Sequence, residues 1–257
     1  MTTAAATHEL TREEIQRFEN EGYLGPYTAF SPEEMEAMRP EIDRILQEPH
    51  RTCLKFNGKP VEGHQGRHLD RRLVWELCSH PAIVERMAGI KGPDLVLWRS
   101  NFFVKQPGDK AIPWHQDRAY WPIKPEINIT AWMAIDDVTV ENSCVQIIPG
   151  SHKLPLEHVP TDKEINTFDK GANVQGVDLS KRVHMVLKPG QFFLFDETTL
   201  HHSEPNRSNK RRCGLAVRVT VPKVKVNHAE LYHGHKCVLL RGEDRYGLNE
   251  MAQPPLE

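Results

Sequence analysis

From residue 95 to about residue 221 the chain is a series of short segments with strand patterning, and no helical segment separates them. Apolar and polar residues alternate along these segments, as expected for strands with one buried face. The clearest segments are residues 95–105, 128–135, 144–148, 184–187, 191–195 and 212–221, and Pro-Gly pairs mark turns at 107–108, 149–150 and 189–190. Many short strands in succession are typical of a sandwich or jelly roll, so we predict a mainly β fold.

The first ninety residues carry helix signals instead. Thr11 and Ser31 each stand three residues ahead of a glutamate, which is the capping-box pattern of a helix start. After Ser31, apolar residues recur at three- and four-residue spacing and predict an amphipathic helix; they are Met35, Met38, Ile42 and Ile45. We expect the helices of this region to cover one face of the sheet.

These patterns predict one domain with a short tail at each end. Residues 1–9 are small and polar, and we expect them to be disordered. The single domain would span residues 10–222, with a helical cover at 10–90, a jelly-roll core at 95–222 and a polar segment at 154–181. Long polar segments of this kind are often lids, although a plain surface insertion is the alternative. Residues 223–257 would form a C-terminal extension packed on the same domain.

The charge balance favours a small-molecule partner. Lys and Arg number 33 against 35 Asp and Glu, a formal net charge of −2, so no basic surplus would attract nucleic acid or an anionic membrane. The five cysteines are widely spaced without a C-x-x-C pair, and no apolar stretch reaches 18 residues. We therefore expect a cytoplasmic protein, as a monomer or homodimer.

A possible metal site is divided between two distant segments. His115 and Asp117 stand two residues apart, so they share one face of an extended chain. Two imidazoles and one carboxylate are the ligands of non-heme Fe(II) oxygenases, and they leave three adjacent positions free. The segment from Leu200, with His201 and His202, would supply the second imidazole.

A second His-x-Asp pair, His68 and Asp70, tests how specific this pattern is. Arginines flank it at positions 67 and 71, and no series of strands begins there. We expect these arginines to pair with Asp70 on a solvated surface, without a metal.

Strand parity in 212–218 indicates an anion site. Arg212, Gly214, Ala216 and Arg218 share one face, while the opposite face is apolar. A buried arginine needs an anion, and a carboxylate can accept two charge-assisted hydrogen bonds from it. The carboxylate would belong to a ligand or, alternatively, to an acidic residue of the protein.

The span from about residue 10 to 220 resembles the phytanoyl-CoA dioxygenase family of Fe(II)- and 2-oxoglutarate-dependent oxygenases. The resemblance rests on the order and spacing of several segments: 18–23, Trp114-His115-Gln116-Asp117, 130–136, 141–152, and 200–208 ahead of Arg211-Arg212. It implies a double-stranded β-helix, the cupin-like jelly roll, with Fe(II), 2-oxoglutarate as co-substrate and O2. The family's late histidine ligand stands two residues before a serine and eleven before an arginine, which implies His201.

The resemblance also implies residues that contact the other ligands. Candidates for 2-oxoglutarate are Arg212, Ser203, Trp132, Asn101, Gln116 and Lys55. Candidates for substrate are Arg118, Tyr120, Trp121 and Arg218. Trp132 could instead be ordinary core, the substrate candidates could be rim packing, and His202 could either support the site or pack on the outer face.

The implied reaction is hydroxylation of an unactivated C–H bond of a small metabolite, with release of succinate and CO2. Desaturation or cyclisation with the same cofactors is an alternative, and a zinc-dependent hydrolase or a non-catalytic jelly-roll binding protein is an alternative of another class. Chlorinating relatives carry a small residue at the carboxylate position, so Asp117 argues against halogenation.

Overall fold

A computed structural model describes residues 8–50, 63–231 and 234–256, together with the backbone of 55–56 and 59–60. Helices α1 to α4 are Arg12–Glu21, Pro32–Gln47, Arg72–Cys78 and Pro81–Lys91. Strands β1 to β8 are Tyr23–Thr28, Lys55–Phe56, Lys59–Pro60, Leu95–Lys105, Ile112–His115, Ile123–Lys124, Ile129–Ala134 and Val145–Ile147. Strands β9 to β16 are His158–Pro160, Lys170–Ala172, Val183–Met185, Gln191–Asp196, His201–Ser203, Arg212–Thr220, Lys225–Val226 and Val238–Arg241.

Both predicted capping boxes are confirmed. The Thr11 hydroxyl accepts a hydrogen bond from the Glu14 backbone, and Ser31 does the same for Glu34, while each glutamate accepts from the N-cap backbone. In α2, the buried residues are Met35, Ile42 and Ile45, and Met38 packs against the same core while partly exposed. The amphipathic pattern therefore marks the face of α2 that packs on the core.

Two antiparallel sheets form the body of the fold, which confirms the predicted mainly β, cupin-like jelly roll with covering helices. One sheet has six strands in the order β1-β12-β7-β14-β4-β16, and the other has four in the order β11-β8-β13-β5. The larger apolar cluster joins the six-stranded sheet to the helices. A second apolar cluster draws side chains from both sheets and holds them together, with Trp132, Ile147 and Phe193 among its members.

The central strand β14 separates the core from the site, as its parity predicted. Cys213, Leu215 and Val217 belong to the larger apolar cluster. Arg212, Ala216 and Arg218 instead line a cavity on the opposite face. Since β14 pairs with β4 and β7 on its two sides, its register fixes where these side chains lie.

The segment 154–181 contains a two-stranded antiparallel sheet, β9 with β10. It joins the body of the fold where Ala111 exchanges backbone hydrogen bonds with Ile165 and Thr167. Its predicted role as a lid, like the predicted domain boundaries, stays a prediction. In the C-terminal residues, β16 pairs with β4 at the edge of the six-stranded sheet. None of the described helices has the length and apolar character needed to cross a membrane.

The second His-x-Asp pair is buried, so the predicted solvated surface is wrong. Arg67 is 0% exposed and donates from Nε and Nη2 to the two carboxylate oxygens of Asp70, at 3.0 and 3.1 Å. Its Nη1 donates to the carbonyl oxygens of Ile45 and Glu48 at the C-terminal end of α2. The predicted pairing with flanking arginines is confirmed. Arg67 thereby satisfies carbonyl groups that the end of α2 leaves without helical partners, and these groups and Asp70 compensate for the burial of its charge.

Candidate active site

Three side chains from two strands and a turn converge in the cavity beside β14. His115 ends β5, Asp117 opens the 3₁₀ turn that follows it, and His201 begins β13. His201 pairs directly with His115 across the two strands, so their rings lie 4.0 Å apart between centroids. The Asp117 Oδ1 atom lies 3.6 Å from His115 Nε2 and 3.9 Å from His201 Nε2.

Backbone carbonyl groups fix the orientation of both imidazoles. Nδ1 of His115 lies 2.8 Å from the Pro113 oxygen, and Nδ1 of His201 lies 2.8 Å from the Thr199 oxygen. Each Nδ1 therefore carries the hydrogen, and each Nε2 presents a lone pair toward Asp117. Burial, together with the nearby His115, lowers the pKa of His201 to about 3, which keeps this imidazole neutral.

Asp117 stays ionised although it is buried. Burial alone would raise its pKa, but the positive charge of Arg218 holds that pKa well below its usual range. Arg218 Nε lies 3.9 Å from Asp117 Oδ2. That oxygen is buried and has no hydrogen-bond partner among the described residues. A buried carboxylate oxygen without a donor is costly in a protein interior, and a cation would satisfy it.

These residues fit a divalent metal. The three ligand atoms lie within 4.8 Å of one another, and they form the one His/Cys/Asp/Glu group of this kind in the described part of the chain. Two neutral imidazoles and one carboxylate are the donor set that suits Fe(II) with open positions. His68 and Asp70 belong to no such group among the described residues.

The same cavity reaches a buried arginine. Arg212 is 1% exposed, and its guanidinium donates to the carbonyl oxygens of Ser143 and Phe103. Its Nη2 atom is buried without a hydrogen-bond partner among the described residues. We call the space between Arg212 and the three metal-binding candidates the inner cavity; Ser203 and Trp132 also line it. The Trp132 ring centroid lies 5.4 Å from the Arg212 guanidinium carbon.

The family model described as phytanoyl-CoA dioxygenase matches residues 18–214, most of the chain. The chain belongs to the phytanoyl-CoA dioxygenase family. It is a non-heme iron, 2-oxoglutarate-dependent dioxygenase that uses Fe(II), 2-oxoglutarate as co-substrate and O2.

Individual relatives agree with this assignment. The chain is 25% identical to the dioxygenase lolE1 of Epichloe uncinata over 93% of this chain and 94% of that protein. It is 28% identical to the ectoine dioxygenase of Stutzerimonas stutzeri over 80% and 75% of the two chains. Among solved structures, CytC3 with Fe(II) and alpha-ketoglutarate superposes with a TM-score of 0.74 at 29% identity, over 96% of this chain and 94% of that one.

The three remaining predicted 2-oxoglutarate contacts lie in different places. Asn101 lines a larger outer cavity that shares Asp117 and Arg212 with the inner one, and its side-chain oxygen accepts from Arg99 and Arg218. Gln116 is not brought to either cavity. Its amide donates to the carbonyls of Leu154 and Thr198, because a residue between two same-face ligands points the other way. The side chain of Lys55 lies outside the described residues.

Three of the four predicted substrate contacts line the outer cavity: Tyr120, Trp121 and Arg218. Arg118 does not, because its half-exposed side chain pairs with Glu126 at 2.6 Å in a separate surface pocket. His202 lines the inner cavity from one edge, where its ring stacks on Trp114 at 4.4 Å.

Two residues in this region were not predicted. Phe168, from the segment 154–181, contacts the His115 ring at 5.1 Å and the Tyr120 ring at 5.5 Å. No periodicity in that polar segment marks it. Lys105 lies directly opposite Arg212 in the pairing of β4 with β14 and is 5% exposed. Its shared strand parity with Asn101 and Phe103 was a usable signal, since both of these line the outer cavity.

Proposed function

We propose that the protein hydroxylates an unactivated C–H bond of a small metabolite and converts 2-oxoglutarate to succinate and CO2. In this proposal His115, Asp117 and His201 bind the iron, while Arg212 and Ser203 bind the distal carboxylate of 2-oxoglutarate. One observation carries the assignment: a single inner cavity joins the three ligands to a buried guanidinium whose Nη2 atom has no hydrogen-bond partner in the described part of the chain. A zinc hydrolase would need the ligands but not the arginine.

The protein's own groups bind and orient the reactants. Both imidazoles present Nε2 because backbone oxygens hold Nδ1, and Arg218 stabilises the negative charge of Asp117. Arg212 would donate to a carboxylate, and charge-assisted hydrogen bonds contribute about 1.5–3 kcal/mol each. When bound, Fe(II), 2-oxoglutarate and O2 supply the oxidising chemistry. Holding the substrate beside them, at a fixed distance, is the contribution of the cavity walls.

The outer cavity is the proposed substrate site. It has a volume of about 1080 Å³ and extends from Asp117 to the surface, with Tyr120, Trp121 and Arg218 in its walls. The segment 154–181 contributes Phe168 to the same walls, and the Lys170 carbonyl accepts a hydrogen bond from the Tyr120 hydroxyl at 2.6 Å. These contacts support a role for the segment as a lid over the bound substrate.

The outcome of the reaction is tested with a panel of small metabolites that includes amino-acid derivatives, acyl thioesters and phosphonates. Substrate-dependent succinate formation identifies a substrate, and mass spectrometry under labelled O2 then identifies the product. Hydroxylation predicts a gain of one oxygen atom that carries the label. Loss of two hydrogens without oxygen would instead indicate desaturation or cyclisation, and turnover with zinc in the absence of O2 would indicate a hydrolase. Asp117→Ala is the inactive control.

A further inference from the structure

A buried lysine, Lys105, lies beside the proposed site for the distal carboxylate of 2-oxoglutarate, and the proposed function assigns it no role. The Lys105 ammonium donates to Ser203 Oγ at 2.9 Å, to Ser143 Oγ at 3.0 Å and to the Glu204 carbonyl at 2.7 Å, with the Ser203 carbonyl at 3.3 Å. All four acceptors are neutral oxygens. Because Ser203 and Glu204 lie at the end of β13, the ammonium fixes this end of the strand against β4.

These bonds decide the direction of the Ser203 hydroxyl. An ammonium has three hydrogens and no lone pair, so Ser203 Oγ can only accept from Lys105. The hydroxyl hydrogen must point elsewhere, and no described group accepts it. Since Ser203 lines the inner cavity together with Arg212, its hydrogen is free to point to an anion bound there.

The positive charge of Lys105 adds to that of Arg212. The two residues are directly paired across β4 and β14, and both are at most 5% exposed. The nearest acids to Lys105, Asp109 and Glu204, have exposed side chains and form no ion pair with it in the described structure. Burial and the facing Arg212 lower the pKa of Lys105 to about 7. Two buried cations without a buried acid are costly unless an anion joins them.

We propose that Lys105 is a positioning residue for 2-oxoglutarate: it holds Ser203 as a hydrogen-bond donor and, with Arg212, supplies the positive charge that selects the distal carboxylate. This inference rests on the proposed assignment of Ser203 and Arg212 to that carboxylate. It predicts that Lys105 contributes to the affinity of ligands with a distal carboxylate and not to the affinity of ligands without one.

The test compares 2-oxoglutarate with 2-oxovalerate, which has the same 2-oxo acid group but no distal carboxylate. Each is titrated anaerobically into the Fe(II)-loaded protein, and affinity is read from the visible charge-transfer band. Lys105→Met is expected to weaken 2-oxoglutarate by about tenfold or more, the loss of one charge-assisted contribution, and to leave 2-oxovalerate nearly unchanged. Lys188→Met, which removes an exposed lysine paired with Asp137, is the matched control. Equal weakening of both ligands, or of neither, would overturn the proposal.

A double-mutant cycle with Ser203→Ala tests the route through the hydroxyl. If Lys105 acts through Ser203, Lys105→Met should lose much of its effect on 2-oxoglutarate once the hydroxyl is absent. Additive effects would contradict the positioning role.

Should Lys105→Met fail to fold, the wild-type protein gives the same answer. The ratio of 2-oxoglutarate to 2-oxovalerate affinity should fall as the pH rises above 7 and Lys105 loses its proton, while Arg212 stays charged. A flat ratio from pH 6 to 9 would refute the inference. Failure of Arg212→Ala to weaken 2-oxoglutarate would instead refute the proposed function.

Discussion

Asp70→Asn should destabilise the protein strongly without affecting the iron site. The change keeps the shape of the side chain but removes the negative charge that faces the fully buried Arg67, whose Nε and Nη2 both donate to this carboxylate. Breaking one side of a buried ion pair costs about 3–5 kcal/mol, because the remaining charge is left without compensation. Domains have a total stability of roughly 5–15 kcal/mol, so this loss is a large share.

Urea unfolding at pH 7 measures this loss as a shift of the midpoint at constant slope. Asp178→Asn is the control, because Asp178 is exposed and lies 3.9 Å from Lys181, and an asparagine oxygen can still accept the hydrogen bond from the Ser180 backbone, so this change should have little effect on stability. Iron binding by Asp70→Asn is then measured where the variant is folded, and it should match the wild type. A loss of stability below about 1 kcal/mol would show that the charge of Asp70 does little to stabilise the buried Arg67. Loss of iron from folded Asp70→Asn would refute the assignment of the metal site.

Three further predictions concern other parts of the fold. Arg212→Ala should weaken the affinity for 2-oxoglutarate by about a hundredfold or more in anaerobic titrations, because two charge-assisted hydrogen bonds are lost. The affinity for Fe(II) should stay nearly unchanged. Equal loss of both affinities would contradict the assignment of Arg212 to the distal carboxylate. Gly214→Ala should cost about 1–3 kcal/mol in urea unfolding and weaken 2-oxoglutarate, because an added Cβ would lie 2.1 Å from the Trp132 ring that packs beside Arg212. Burial and the neighbouring Asp196 raise the pKa of Glu197 to about 7. The protonated Glu197 side chain therefore stabilises the folded protein at a pH below the pKa that it has in the unfolded chain. This stabilisation, roughly 3 kcal/mol, is lost as the pH rises through 7. Glu197→Gln should remove that decline, and an unchanged profile in the variant would contradict the assignment.

The sequence predicted the features that depend on short-range patterns. The capping boxes at Thr11 and Ser31 follow from local backbone hydrogen bonding, and the two faces of β14 follow from the two-residue period of a strand. The grouping of His115, Asp117 and His201 was also predicted, because the resemblance supplied the long-range pairing of β5 with β13 that local patterns lack.

Features that depend on strand pairing or on the environment were missed. Lys105 has the strand parity of Asn101 and Phe103, but only the register of β4 with β14 places it opposite Arg212. The charged residues around Arg67 predicted a solvated segment. In the fold, Arg67 instead donates to the carbonyl oxygens of Ile45 and Glu48 at the end of α2, which are distant in sequence. Gln116 was assigned to the cavity from the family motif, although its strand parity directs it to the loop carbonyls of Leu154 and Thr198.

Anaerobic titration of the metal-free protein with Fe(II) and then 2-oxoglutarate tests the assignment of the site most directly. We predict one Fe(II) per chain and a visible metal-to-ligand charge-transfer band, which should be lost in His201→Ala and Asp117→Ala and retained in His202→Ala. Binding of zinc without any such band in the iron-treated protein, or a band that survives His201→Ala, would contradict the account.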